Sequence, residues 1–473
     1  MSEGREKIMI DIGLLSFSDG RERVHRDLSP RIAETARLLQ EALEKTGEVR
    51  VAAGPEIVWR HAQAREQARL VAASATDGTI FNVPVFAFPN LVRIAATWAP
   101  PPFLAFSPIF GGLPGLGGLL GAAAGLEQAG PVCDKVYGSL EDPETIRRLM
   151  VFCRAAHAFN GLRGRVLGMI GGRSMGMVTG EANPDLYYSV FGLDVDHFDQ
   201  SEILRQAESI SEEDVERAFS WLQSRLGSIE YDGGKLVPAH LRTQIRHYIA
   251  TKQIISQRQF DFVAVKCHYE MSEYHATQCL SAALMNDPYD WDGAKEPIVY
   301  ACEADADGAV TMQILKLLTG KPVIFTDLRH YDAADDVMVL CNCGAMSTWY
   351  AARSDRPEEN LAQVRLMPVI PKYGGGGGHV RFIGAEGPMT FARLFRRSGC
   401  FHMTIVQANL ERYPDGKTEE TCPVWPHLFA KLSAPAREFL PRLGSNHIHG
   451  VAGDVRAELL KFCELAGIRA EIW

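Results

Sequence analysis

The stretch Ile298-Val299-Tyr300-Ala301-Cys302-Glu303-Ala304-Asp305-Ala306-Asp307-Gly308-Ala309-Val310 changes character part-way. Four apolar residues, Ile298 to Ala301, read as a short buried strand. Small residues and acids follow, and a helix-compatible apolar run comes next. Twenty-four positions beyond Glu303, a second apolar run, Pro322-Val323-Ile324-Phe325, ends at Thr326-Asp327. A strand that runs into a helix and then into another strand is the rhythm of a parallel α/β sheet. Such sheets bind ligands at the carboxyl ends of their strands, where Glu303 and Asp327 both fall. Gly308 and Ala309 leave room beside Glu303.

The same rhythm extends upstream. Residues 7–12 (KIMIDI) alternate as a strand, and the polar loop SFSDGRERVHRD follows. A helix is expected from Ser29 to Thr46, with Ile32, Thr35, Leu38, Leu39 and Leu43 at helical spacing. Further strands are expected at 49–52, 79–83 and 102–106. The pattern restarts near Leu162-Arg163-Gly164, where Arg165 to Ile170 leads into the loop Gly171-Gly172-Arg173-Ser174-Met175-Gly176. That loop lacks the spacing of a dinucleotide fingerprint and has no phosphate-loop lysine. After residue 330 the βα rhythm gives way to short strands at 337–341, 363–369, 379–384 and 401–407. Five glycines, Gly374 to Gly378, read as a turn between two of them. A last helix near 454–466 and a strand at 469–472 close the chain. The expected fold is therefore α/β, with two doubly wound parallel-sheet domains at 1–164 and 165–328. A β-rich, barrel-like domain is expected at 329–473.

Composition bounds the function. The 473 residues exceed a single core, and 46% hydrophobic with 23% charged residues is ordinary for a soluble enzyme. A net charge of −9 with no block of one sign excludes a phosphate-neutralising surface, so neither nucleic acid nor an anionic membrane is an expected partner. The uncharged run Ala105 to Leu126 carries seven glycines and two prolines, which fits a turn and a buried helix better than a membrane span. The N-terminus has no secretory pattern, and ten scattered cysteines fit a reducing compartment, so a cytoplasmic location is expected. Cys341-Asn342-Cys343 lacks a second pair and the spacing of a zinc site.

Two strand-end carboxylates can share a divalent cation or act as acid and base on one substrate. A cation needs a third ligand, and His268, His275, His330, His379, His427, His447 and His449 are the histidines to test. The loop Ser445-Asn446-His447-Ile448-His449-Gly450 is well placed, because a Gly-flanked loop frees an imidazole to coordinate. An oxygen-rich set with one nitrogen suits Mn²⁺ or Mg²⁺, with Co²⁺ a further option.

Set in order, these pieces resemble the L-fucose/L-arabinose isomerase family. Ile10-Asp11-Ile12-Gly13 with Ser18-Asp19-Gly20-Arg21 and Arg26-Asp27 resembles its opening strand and Asp-Gly-Arg loop. RVLGMIGGRSMG, Arg165 to Gly176, resembles its Gly-x-Ser-Met-Gly segment, and Asn446-His447 resembles its Asn-His pair. The resemblance implies an aldose–ketose isomerase working through a cis-enediol on a free sugar, L-fucose-like or D-arabinose-like. It implies Glu303 and Asp327 as catalytic acids and, with His447, as ligands of Mn²⁺. Arg21, Arg26, Ser174, Met175, Glu270, Trp425 and Asn446 are then substrate-binding, and homotrimers or homohexamers are implied. Glu270 stands where the family leads one to expect a glutamine. A carboxylate there favours a neutral sugar, whereas an anionic one needs a cation from His268, Arg21, Arg173 or Arg393. The alternatives are an isomerase acting on a different, anionic 6-substituted hexose, a metal-dependent epimerase or lyase, and a non-catalytic sugar-binding protein.

Overall fold

The computed structural model describes residues 8–109 and 112–473. Lys7 of the expected first strand and Gly111 of the expected turn lie outside them. The chain divides into two compact units, Met1–Gly161 with Ala457–Gly467, and Leu162–Arg456 with Ile468–Trp473.

The first unit is built on five parallel strands: β1 (Ile10–Ser16), β2 (Val49–Ala53), β3 (Gly78–Asn82), β4 (Phe103–Pro108) and β5 (Cys133–Gly138). Their order is β2-β1-β3-β4-β5, a doubly wound sheet that reverses beside β1. Neighbouring residues enter different cores. Leu14, Ile80 and Leu104 join one cluster, and Leu15, Phe81 and Ala105 join the other. Burial at every residue is why β3 and β4 read as apolar runs, whereas the sheet-edge strands β2 and β5 keep exposed or half-buried polar positions.

Two local expectations change here. Helix α1 spans Glu22–Glu44 and so begins inside the stretch expected to be loop. Pro30 lies within it. A proline has no N–H for the carbonyl four residues back, and the Ser29 hydroxyl donates to that carbonyl, Arg26 O, at 3.3 Å. Helix α2 (Gly115–Glu127) forms as expected but is buried on one face only. Leu116 and Leu120 are 45% and 49% exposed.

The second unit holds a parallel sheet and a barrel. The sheet comprises β6 (Val166–Ile170), β7 (Asp194–Phe198), β8 (Phe262–Val265) and β9 (Tyr300–Ala301), in the order β9-β8-β6-β7. Helix α3 (Ala306–Thr319) follows β9. The barrel strands are β10 (Val323–Asp332), β11 (Val337–Cys341), β12 (Gly387–Arg397), β13 (Cys400–Glu411), β14 (His427–Leu432) and β15 (His447–Ala452). They pair antiparallel in the ring β12-β15-β10-β11-β14-β13, and β13 closes it on β12. Closure leaves no free edge. A short strand, β16 (Arg469–Ile472), adds in parallel to β13.

Asp327 therefore does not end a second strand of the parallel sheet, as the apolar run suggested. It lies within β10, which continues through a bulge after Leu328 and pairs only with barrel strands. The final helix, α4 (Arg456–Ala466), also departs from its expected place beside the barrel. It packs within the first unit, where Phe462 meets Phe159 and Lys461 pairs with Asp134 at 2.9 Å. The five-glycine turn joins the strands Arg365–Pro368 and Gly378–Arg381 and has a packing reason. A Cβ on Gly375 would lie 2.3 Å from the His275 carbonyl oxygen.

Among the described residues no helix is long and apolar enough to cross a membrane.

Candidate active site

Strand register brings Asp327 and His447 together. In the antiparallel pairing of β10 with β15 they are directly opposite, and Asp327 faces Cys341 of β11 on its other side. Side chains alternate along a strand, so His447 and His449 project to the same face. Glu303 arrives from the parallel sheet. It follows β9 in a single turn, Cys302–Ala304, with Glu303 at φ 59° and Ala304 at φ 52°. Left-handed backbone costs a non-glycine residue of order 1 kcal/mol or more and persists where its surroundings hold it. Here Asp305 caps α3 by accepting from the Gly308 amide at 2.9 Å.

The result is a buried cluster. His447 Nε2 lies 3.3 Å from Glu303 Oε2 and 3.2 Å from Asp327 Oδ1, yet it makes no hydrogen bond. The ring nitrogen is aimed between the two carboxylates. Asn446 and Asn342 each donate to Asp327, at 3.4 Å. The far ring nitrogen, Nδ1, is 2.7 Å from Asp305 Oδ2. Asp305 is clamped in turn by Arg393, whose Nη1 meets Oδ2 and whose Nη2 lies 3.0 Å from Oδ1. Asp305, Arg393 and His449 have no exposed side-chain surface.

Electrostatics follow from that arrangement. Burial pushes the Glu303 carboxyl above its ordinary range, and the pull of His447 opposes it. Burial disfavours a charged His447, but Asp327, Asp305 and Glu303 outweigh it and hold its pKa well above the usual value. Burial also works against an ionised Asp305, and the charges of Arg393 and His447 overcome it and drive its pKa far down. His449 is held neutral by burial and by Arg393.

Among the described residues no group of three or more His, Cys, Asp or Glu side chains is arranged as a ready metal cage. Glu303, Asp327 and His447 nevertheless suit a divalent cation in chemistry and spacing. Bonds of ~2.1–2.3 Å set neighbouring ligands of an octahedral ion ~3.0–3.2 Å apart. The two contacts of His447 Nε2 are close to that, and the nitrogen is buried without a partner.

A cavity of about 160 Å³ opens beside Glu303 and Ala304. Its wall includes Gly171, Gly172, Arg173 and Ser174 from the loop after β6. Ser174 is buried and donates to the His268 carbonyl at 3.2 Å, whereas Met175, at φ 47°, is exposed.

The other predicted residues are placed differently. Glu270 is not among the residues lining this cavity. It pairs with Lys266 at 2.8 Å, so its charge is compensated and the argument from it for a neutral sugar loses its footing. Trp425 is buried against His379, with Arg329 over its ring. Arg21 and Arg26 are exposed in the first unit, where Arg21 grips Asp19 at 2.6 Å. Of the remaining histidines, His275 and His330 are exposed. His268 bonds to Ser272, His379 to the Ile370 amide and His427 to Trp425 O and Thr421.

Asp305 was missed by sequence reasoning, and the signal for it was Gly308. A Cβ there would lie 2.6 Å from Asp305 Oδ2 and 2.7 Å from His449 Nε2. The glycine makes room for that pair rather than for a ligand of Glu303. A buried thiol group, Cys279, Cys302 and Cys343, was also not anticipated. The Cys302 and Cys343 sulfurs are 4.0 Å apart. Contacts from Cys279 and Cys302 hold the Cys343 thiol well below its ordinary pKa.

Residues 9–164 match the family model for the first N-terminal domain of L-fucose isomerase, 264–320 the second N-terminal domain, and 340–473 the C-terminal domain. The chain belongs to the L-fucose isomerase-like family. Within that family, an L-fucose isomerase of Haemophilus influenzae (strain PittEE) is 27% identical, over 75% of this chain and 73% of its own length. One of Bacteroides fragilis (strain YCH46) is 26% identical over 46% of this chain and 43% of its own. A sulfoquinovose isomerase of Clostridium sp. (strain MSTE9) is 23% identical over 72% and 71%. Glu303 lies in the match to the second L-fucose isomerase domain and His447 in the match to the C-terminal one, while Asp327 falls between the two.

Proposed function

We propose that this sugar isomerase converts a free aldose to its ketose through a cis-enediol, with an L-fucose-like or D-arabinose-like substrate and Mn²⁺ held by Glu303, Asp327 and His447. Mg²⁺ or Co²⁺ also suits that donor set. The observation that carries the reading is the buried, unpartnered Nε2 of His447 between two carboxylates. The cation, when bound, supplies Lewis-acid stabilisation of the oxygens of C1 and C2.

The protein's own groups divide the remaining work. One carboxylate, Glu303, takes the proton from C2 and returns it to C1. Its carboxylate stands beside His447 Nε2 and borders the cavity, which suits a group that must both accept and give a proton. Asp327, steadied by Asn342 and Asn446, moves the second proton between O2 and O1. Asp305 fixes the imidazole of His447 so that Nε2 stays turned toward the acids.

Substrate contacts fall to Ser174 and Met175, with Asn446 beside Asp327, while Trp425, buried with Arg329 over its ring, offers no open stacking face. Arg21 and Arg26 act on a neighbouring subunit's substrate in a homotrimer or homohexamer. The exposed apolar side chains Phe86, Trp98, Ile109, Leu116 and Leu120 support such assembly. Mass photometry of wild type and of Leu116→Glu/Leu120→Glu tests it, and an unchanged mass in the variant removes that surface from the interface.

A second reading, an isomerase of an anionic 6-substituted hexose, is favoured by the sulfoquinovose isomerase relative and by the compensation of Glu270 by Lys266. A panel of aldoses in D₂O with Mn²⁺, followed by NMR, decides. Isomerisation gives a ketose labelled at C1. An aldose labelled at C2 shows an epimerase instead, and no label with any sugar leaves a binding protein.

A further inference from the structure

The cavity beside Glu303 carries a charged pair that the chemistry at C1 and C2 leaves unused. Arg173 and Glu181 both line it, and they are bonded to each other at 2.7 Å. Both side chains remain partly exposed, at 43% and 49%. An ion pair with that much open surface has free hydrogen-bonding capacity. The guanidinium has five N–H donors and the carboxylate about four acceptor sites, so one contact uses up neither.

The pair stands on a fixed wall. The segment after Met177 is tied to the barrel by two arginines. Arg393 Nη2 donates to Thr179 O at 2.8 Å, and Arg396 Nη2 donates to the carbonyl of Glu181 itself. Gly180 packs on Asp305, where a Cβ would lie 3.1 Å from the aspartate Cα. On the other side, Ser174 is buried and bonded to His268 O. The two ends of the loop that present Arg173 and Glu181 are thus anchored to the same framework that holds Glu303. Specificity groups need such rigid support to discriminate between substrates.

We infer that Arg173 and Glu181 determine specificity by reading neighbouring hydroxyls on the part of the sugar remote from C1 and C2. Arg173 donates to one hydroxyl oxygen, and Glu181 accepts from the next hydroxyl. The fit is to an uncharged polyol tail. An anionic tail drawn to Arg173 meets the carboxylates of Glu181 and Glu303 in the same cavity. This inference rests on the isomerase reading and names the substrate class for it.

The test compares kcat/KM across three aldoses with the same reacting end: one with hydroxyls at C4 and C5, its 4-deoxy or 5-deoxy relative, and its 6-carboxylate. Wild type, Arg173→Met and Glu181→Gln are measured with Mn²⁺ present. Wild type is expected to prefer the hydroxylated neutral sugar. Arg173→Met is expected to lower the hydroxylated-to-deoxy ratio by about 10- to 100-fold, because a site built for a hydroxyl discriminates strongly against its absence. Glu181→Gln is expected to raise the carboxylate-to-neutral ratio about 10-fold. Equal losses on all three sugars in Arg173→Met would show that Arg173 only holds the loop, and the inference fails. A wild type that prefers the carboxylate overturns it as well. If no aldose exchanges deuterium at C1 or C2 with any of these proteins, the isomerase reading itself has failed.

Discussion

Asp305 Oδ2 lies 2.7 Å from His447 Nδ1, and both groups are buried. A carboxylate on one imidazole nitrogen sets the tautomer and leaves the other nitrogen for coordination. Asp305→Asn keeps the shape but loses the charge. The variant is expected to bind Mn²⁺ about 10- to 100-fold more weakly, read by calorimetric titration. Unchanged affinity would remove Asp305 from the site's design.

Glu303→Gln keeps a carbonyl oxygen toward His447 and removes the base. Turnover is expected to fall on the order of 10²- to 10⁴-fold, the usual worth of general acid–base help. The assay is ketose formation from a C2-deuterated aldose. Near wild-type turnover in a Mn²⁺-loaded variant would assign the carbon proton to another group.

Arg393 and Asp305 form an ion pair with no exposed side-chain surface on either partner. Removing Arg393 leaves Asp305 with His447 as its one charged partner among the described residues, and breaking a buried pair typically costs about 3–5 kcal/mol. Arg393→Met is therefore expected to lower the urea-unfolding midpoint of the second unit strongly. Arg393→Lys, which keeps the charge and loses the two-pronged grip, should fall between it and wild type. A midpoint shift in Arg393→Met worth less than about 1 kcal/mol would mean that Asp305 finds another partner.

Asp287 is buried and accepts from Ser347, Thr348 and the Trp349 amide. Burial raises its pKa to about 6, above the ordinary 3.8, while those hydrogen bonds pull the other way. For an acid raised on folding, the unfolded chain loses its proton first as pH rises. The contribution of Asp287 is therefore full below about pH 4 and is lost between about 4 and 6, about 3 kcal/mol for a shift of about two units. Asp287→Asn carries no such proton. The variant is expected to gain on wild type as pH rises through that window, in urea midpoints taken at several pH values. A difference that stays constant from pH 4 to 7 would show that Asp287 ionises freely.

Periodicity alone determined much of this protein. The alternation of apolar runs with helical patterns located most strands of the parallel sheets, but β5 (CDKVYG) and β7 (DVDHF) carry charged and exposed residues and gave no such signal. The textural change after residue 330 pointed to the β-rich region in the same way. Local chemistry also placed Glu303 at a strand end, whereas His447, which reads as part of a loop near glycine, is the first residue of strand β15. Tertiary structure decided the rest. Asp327 reads as the end of a parallel strand because four apolar residues precede it, and nothing local says that its neighbours are barrel strands. Only register sets it opposite His447. Helix α1 runs on through Pro30 because a neighbouring hydroxyl takes the orphaned carbonyl, a compensation that propensity does not reveal. Asp305 and Arg393 are 88 positions apart; Asp305 gave no signal of its own, and Arg393 reads as a candidate cation for an anionic sugar whereas it is buried on Asp305. Their burial is stable only because closure of the barrel over α3 brings the two charges together, and pairing at that range is a property of the folded chain.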